Sequence, residues 1–339
     1  MSDTGTDLTI RIELVWYANA EMLIDIHQHL WTEPLLDRLA TRDEPPFVRR
    51  SEGLTVLHCT AEPPYVIDVD AEVPERRARL VSGDGLDLAV VALSSPIGIE
   101  ALPREDALEL IEAHLKGVGQ LPGEFAAWGP VALDGAGAAD VDRVLARGCV
   151  GISLPAGALA GPDRLEQLHP LLGRAAERGT PVFVHPGRAP GQRPTTAEFG
   201  EPLWWRPLTD YVSQMQAAWL TFAAFGRREH PRLKVVFAML AGGAPLLSER
   251  LTSRGGPELE LRDPDTYYET SSYGPAAVEM AADRVGAGQL VYGSDRPVVE
   301  PAPTGRDREL QANAADLLAD RPALARRAAR EVAAPGVAV

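Results

Sequence analysis

The sequence predicts a (β/α)8 TIM barrel over residues 22–339, with a small β-hairpin insertion at about 46–72, between the first and second strands. Three observations lead there. Eight short apolar runs, rich in β-branched residues and bounded by Gly, Pro or Asp, recur along the chain, as strands buried on both faces do. Longer amphipathic segments separate them, and several end in a basic residue followed by glycine, at Lys116-Gly117, Arg147-Gly148 and Arg178-Gly179, a helix-stop signal. Eight is also the number of strands that closes a parallel barrel.

In chain order, residues 1–21 precede the barrel, and their run LTIRIELVWY alternates well enough for an extra edge strand or an extension outside the core. The first strand is LIDIH (23–27). A long connection over 31–85 holds SEGLTVLHCT and PPYVIDVD, two alternating runs parted by Glu62-Pro63-Pro64, which read as a hairpin laid over one end of the barrel. The second strand (86–95) leads to a helix at 104–115, the third (125–133) to one at 139–148, and the fourth (149–155) to one at 164–179. The fifth strand, PVFVHP (181–186), opens a second long connection over 187–232 that carries Trp204, Trp205 and Arg206. Connections this long usually serve a site. The sixth strand (233–240), the seventh (267–273), a helix at 276–286 and the eighth strand (289–295) follow, and the tail from about 305 to 333 reads as helical.

Composition narrows the function classes. With 48 acidic and 33 basic residues the net charge is −15, which repels phosphate backbones and anionic membrane surfaces. No nucleic-acid or membrane partner is expected. No apolar run reaches the roughly 18 residues of a membrane span, and the start MSDTGTDL is acidic where a signal peptide is basic, so the expected location is cytoplasmic. Cys59 and Cys149 are too few for a disulfide scaffold and not spaced as a zinc or redox motif. Only Lys116 and Lys234 are lysines, so arginine is the chain's general cation and carries little meaning by itself.

The chemistry gathers at strand ends. His27 and His29 in IDIHQH are two residues apart, which places both imidazoles on one face of the first strand. His185 ends the fifth strand and Asp295 the eighth. Four metal-ligand side chains thereby converge on the rim where barrel enzymes keep their sites. Asp25 shares their parity but lies deeper, as a buried supporting carboxylate. His114, His169 and His230 read as ordinary solvated or locally bonded histidines, and His58 as a hairpin residue.

IDIHQH, PVFVHPG and VYGSDRP resemble the first-, fifth- and eighth-strand motifs of the amidohydrolase superfamily, in its branch that includes aminocarboxymuconate semialdehyde decarboxylase, salicylate-type decarboxylases and several lactonases. The resemblance runs from about residue 22 to 300. It implies one divalent metal, zinc the expected ion, held by His27, His29, His185 and Asp295, with Asp295 also relaying protons. Zinc lowers the pKa of bound water to about 7, and a carboxylate beside it can take up and return the proton. By the same resemblance the chain acts on a small molecule, as a homodimer. Arg49 and Arg50 fall where related decarboxylases hold a substrate carboxylate, Trp204 and Trp205 where the family has an aromatic rim residue, and Arg296 where an aromatic residue often follows the aspartate.

One position departs. The family's sixth strand typically ends in a histidine, and KVVFAMLAGGAP puts Met239 there. Methionine carries no proton at neutral pH and packs as an apolar wall. The sequence reading is therefore a metal-dependent hydrolase using metal-activated water and Asp295. The alternatives are a nonoxidative decarboxylase of an aromatic or enoic acid, and a catalytically silent ligand-binding barrel.

Overall fold

The computed structural model describes residues 22–193 and 201–319; the extension over residues 1–21 and the tail beyond 319 lie outside the described residues. Eight parallel strands follow one another around the barrel: β1 (Ile24–Gln28), β5 (Leu88–Val91), β6 (Phe125–Pro130), β7 (Gly151–Pro155), β8 (Val182–His185), β9 (Val235–Phe237), β10 (Thr266–Glu269) and β11 (Leu290–Val291). Each falls inside, or within one residue of, a run read from the sequence. The predicted helices appear as Arg104–Val118, Ala138–Ala146, Pro162–Glu177 and Pro275–Val285, and the start of the predicted tail as Asp307–Leu318.

The last strand meets the first through backbone hydrogen bonds. Ile26 N–H donates to the Tyr292 carbonyl at 3.0 Å, Asp295 N–H to the His27 carbonyl at 2.8 Å, and His29 N–H to the Arg296 carbonyl at 2.6 Å. Buried Asp25 secures the same seam, accepting from Ser294 N–H at 3.1 Å, His27 N–H at 3.0 Å and Gln28 Nε2 at 2.8 Å. Below the mouth the interior is filled by large rings facing small residues. Trp128 stacks on Phe183 at 5.3 Å and donates its Nε1–H to the Ile26 carbonyl at 2.7 Å. Its register partner is Gly151, where a Cβ would come within 2.5 Å of the Trp128 ring.

The insertion has three antiparallel strands, β2 (Phe47–Ser51), β3 (Leu54–His58) and β4 (Tyr65–Ile67), where the sequence suggested two. The additional strand is β2, joined to β3 by the two-residue loop Glu52-Gly53 with φ of 52° and 81°. Positive φ at both central residues fits a type I′ turn, whose usual Asn-Gly or Asp-Gly signature is absent. The sixth strand is shorter than expected. Met239, Leu240, Ala241, Gly242 and Gly243 all have positive φ, forming a left-handed turn directly after Phe237 and Ala238. Gly242 is required there, since a Cβ would lie 2.7 Å from the Val212 carbonyl oxygen.

A buried ion pair fastens the insertion to the barrel. Arg77 donates to Glu72 at 3.1 and 3.2 Å and to the Gln28 side-chain oxygen at 2.7 Å, while Glu72 also accepts Trp31 N–H at 3.0 Å. Removing one partner strands the other charge in the interior. Arg77→Ala should therefore cost about 3–5 kcal/mol in urea unfolding, and a cost under about 1 kcal/mol would show that this pair does not anchor the insertion.

Candidate metal centre

Barrel closure brings His27 and His29 of β1 beside Asp295 after β11, and β8 supplies His185 from across the mouth. One ligand atom from each lies within 4.8 Å of every other. His27 Nε2 and His29 Nε2 are 3.3 Å apart, and Asp295 Oδ1 sits 3.4 Å from the former and 3.2 Å from the latter. The His185 ring lies 5.0 and 5.1 Å, centroid to centroid, from those of His27 and His29, crossing both nearly at right angles.

The opposite ring nitrogens decide what these atoms can do. His27 Nδ1 is 3.1 Å from Glu269 Oε2, His29 Nδ1 2.9 Å from the Ala92 carbonyl, and His185 Nδ1 2.9 Å from the Pro186 carbonyl. A carboxylate and two carbonyls can only accept, so each Nδ1 is the donor and each Nε2 turns a lone pair toward the common centre. Asp295 Oδ1 is buried there with no directed hydrogen bond. Three lone pairs and a carboxylate oxygen facing one another call for a cation. The donor set, nitrogen with one oxygen, suits a first-row divalent ion.

The electrostatics agree. Burial opposes charge on His27, but Glu269 and Asp295 outweigh it and push its imidazole up to about 9. Burial together with neighbouring His27 and His29 holds His185 well below the usual range. Burial would raise Asp295, yet His27 and His29 keep it below the ordinary carboxylate value. The cluster thus takes up one positive charge, a proton on His27 when nothing else provides it.

Glu269, a residue the sequence reading passed over, organises the rim. It is fully buried at the end of β10 and accepts from His27, from Met239 N–H at 3.1 Å, and from Ser271 through N–H at 2.5 Å and Oγ at 2.9 Å. Gly293 gives it room, since a Cβ there would lie 2.2 Å from Glu269 Oε1. Met239 is therefore fixed beside the centre through its backbone, its side chain partly buried. Asp295, at φ 57°, adopts a left-handed conformation that aspartate tolerates better than most residues.

The other predicted site residues are not among the four that converge. Arg50 pairs with Asp37 at 2.9 Å and Glu33 at 3.0 Å, and Arg49 bonds the Arg42 carbonyl at 2.8 Å and Asp43 at 3.3 Å. Arg296 bonds Asp84 and Glu300. Trp204 and Trp205 are exposed and near each other, with ring centroids 5.7 Å apart. Arg206, the next residue, is buried and donates to the Ala61 carbonyl of the insertion at 2.5 Å. His58 stacks on Phe47 at 4.7 Å, and His169 and His230 meet with ring nitrogens 2.9 Å apart. His114, expected to be solvated or locally bonded, is instead buried with neither ring nitrogen bonded, and burial brings it down to about 4. It is a neutral core residue on the buried face of its helix.

No protein-family model matches the chain, and no curated protein does. Solved structures match over nearly the whole length. IDCase from Metarhizium anisopliae is 19% identical with a TM-score of 0.67, covering 92% of this chain and 97% of that one. The 2,6-dihydroxybenzoate decarboxylase from Rhizobium is 16% identical with a TM-score of 0.62, covering 88% and 99%. A 5-carboxyvanillate decarboxylase from Novosphingobium aromaticivorans, solved with manganese and a nitrobenzoic acid, is 15% identical with a TM-score of 0.60, covering 91% and 93%. The likeness is one of fold: the chain has a (β/α)8 barrel, as its strand pattern leads one to expect, and these solved proteins resemble it over nearly their whole length. Among the described residues, no helix is long and apolar enough to cross a membrane.

Two outcomes follow for the centre. Elemental analysis after incubation with zinc or manganese should find about one ion per chain, and Glu269→Gln should weaken its binding by about 10- to 100-fold, because His27 loses the charged acceptor that raises its basicity as a ligand. Content near background would remove the assignment. Since an ion must displace the proton on His27, affinity should rise about tenfold per pH unit up to pH about 9. Affinity flat from pH 6 to 8 would mean that His27 is already neutral in the free chain.

Proposed function

We propose that the chain is a metal-dependent carboxy-lyase that removes carbon dioxide, without oxidation, from a small aromatic or enoic carboxylic acid. The observation that carries this reading is the convergence of His27, His29, His185 and Asp295 at the mouth of a barrel shared with decarboxylases. A divalent ion, when bound, supplies a Lewis acid that holds and polarises the substrate's carboxylate.

The chain's own residues supply orientation and the proton. Glu269, Ala92 and Pro186 hold the three imidazoles in the tautomer that presents Nε2. Asp295 has the most accessible side chain of the cluster, 17% exposed where His27 and His29 are 2% and 3%, so it can exchange a proton with solvent. In the balanced step the bond between the substrate carbon and its carboxylate breaks and the electron pair stays on that carbon. Asp295, ionised in the resting site, takes up a proton from solvent and delivers it to that carbon in place of carbon dioxide. Met239 provides an apolar wall, which disfavours the localised carboxylate charge relative to neutral carbon dioxide. Arg49, Arg50 and Arg296 already hold carboxylates of the chain, while exposed Trp204 and Trp205 would supply ring faces to a planar substrate that reaches them.

Hydrolysis is the second reading, favoured by Met239 itself. A reaction run by activated water and Asp295 needs no proton group on the sixth strand. The manganese-loaded chain should release carbon dioxide from members of a hydroxybenzoate panel and, in heavy water, place one deuterium at the vacated carbon. Incorporation of labelled water oxygen into ester or lactone products without carbon dioxide would replace lyase by hydrolase, and a loaded chain inert to both panels would leave a silent barrel. In an active chain, Met239→His should add an ionisation to the pH profile at about pH 6–7.

A further inference from the structure

Beneath the three-stranded insertion lies a cleft of about 350 Å³ whose lining includes Glu62, Pro96, Arg188, Arg206, Tyr211 and Gln214. Gly187 also lines it and stands two residues beyond the ligand His185, a chain distance of at most about 7–8 Å between Cα atoms. One wall of the cleft is thus within two residues of a candidate ligand, and another, at Ala61 and Glu62, belongs to the insertion.

Arg188 is the unassigned group in this cleft. Its guanidinium is half-buried and makes no hydrogen bond or ion pair with any described residue, whereas Arg206 is engaged by the Ala61 carbonyl, Glu201 and Glu62. The backbone beneath Arg188 is locked. Gly187 donates to Gln214 at 2.8 Å and accepts from Gly157 N–H at 2.8 Å, and its own Cβ would lie 2.7 Å from that of Ser95 and 2.8 Å from that of Pro155. On the other side Ala189 N–H donates to Gln192 at 2.9 Å. The backbone from which the Arg188 side chain springs is therefore fixed in place.

Its charge is incompletely neutralised. Burial disfavours the Arg188 cation, Glu62 supports it and Arg206 opposes it. Glu62 is shared between both guanidiniums and is itself driven toward its neutral form by burial. A planar oxyanion placed against Arg188 would supply the missing countercharge through paired N–H donors.

We infer that Arg188 forms an anion subsite, with Arg206 adding to its positive field, and that the substrate is a dianion: one carboxylate at the metal centre and a second acidic group under the insertion. This rests on the carboxy-lyase reading for the first carboxylate and on Arg188 alone for the second.

The test is calorimetric binding of benzoate, phthalate, isophthalate and terephthalate to the manganese-loaded chain and to its Arg188→Gln and Arg188→Lys variants. At least one dicarboxylate should bind about tenfold or more tightly than benzoate. Arg188→Gln should abolish that preference with manganese affinity unmoved, and Arg188→Lys should retain part of it. No preference in the native chain, or a preference that survives Arg188→Gln, overturns the subsite. Failure of the metal-centre reading is seen separately, as manganese that does not bind or benzoate that binds equally well without it. In that case the same dicarboxylates are titrated into the metal-free chain, where an Arg188-dependent preference sustains the subsite and its absence overturns it.

Discussion

Closure of the barrel is the constraint on which everything else rests. His27 and Asp295 are joined by a hydrogen bond between their main chains, from Asp295 N–H to the His27 carbonyl at 2.8 Å, and flanking bonds from Ile26 and His29 complete the seam. Backbone polar groups at this depth must be paired, so the register of the first strand against the segment after the last is fixed by hydrogen-bond satisfaction. That register sets two histidines and one aspartate around a single point. Asp25, buried and bonded to both sides of the seam, ties the ligands' positions to the interior.

A cluster of this kind is unfavourable for a protein to keep without a cation. The acceptors behind each imidazole leave the Nε2 lone pairs pointing inward beside a buried carboxylate oxygen. A proton on His27 relieves part of this, and a divalent ion would relieve more. Glu269 joins this electrostatic demand to the sixth strand, because the oxygen that accepts from His27 also accepts from Met239. The left-handed turn at 239–243 brings that N–H into place, and several residues in a sparsely populated conformation at one rim are a form of strain commonly concentrated at functional sites.

Much of this was legible in the sequence, for definite reasons. Parallel strands buried on both faces leave continuous apolar runs, and the ligands are histidines and an aspartate at the ends of such runs, where a polar residue stands out. The third strand of the insertion was hidden because Glu52-Gly53 is an unusual turn pair. Glu269 was hidden because a lone acid in YYETSSY looks like any strand end, although it was the one acid in that run and so a signal open to use. The left-handed turn escaped because Met239 and Leu240 continue the apolar pattern of a strand. Among many arginines, Arg49 and Arg50 were distinguished by resemblance alone. Arg188 differs from them by lacking a bonded partner among the described residues, which only the folded chain reveals.

The central claim is that this closed seam builds one cation site from four side chains. Anomalous diffraction at the manganese edge, from crystals of the full chain grown with manganese, tests it most directly. The account predicts one strong peak per chain at the point shared by His27 Nε2, His29 Nε2, His185 Nε2 and Asp295 Oδ1. Strong peaks only at surface carboxylates, with the cluster free of anomalous signal, would contradict it.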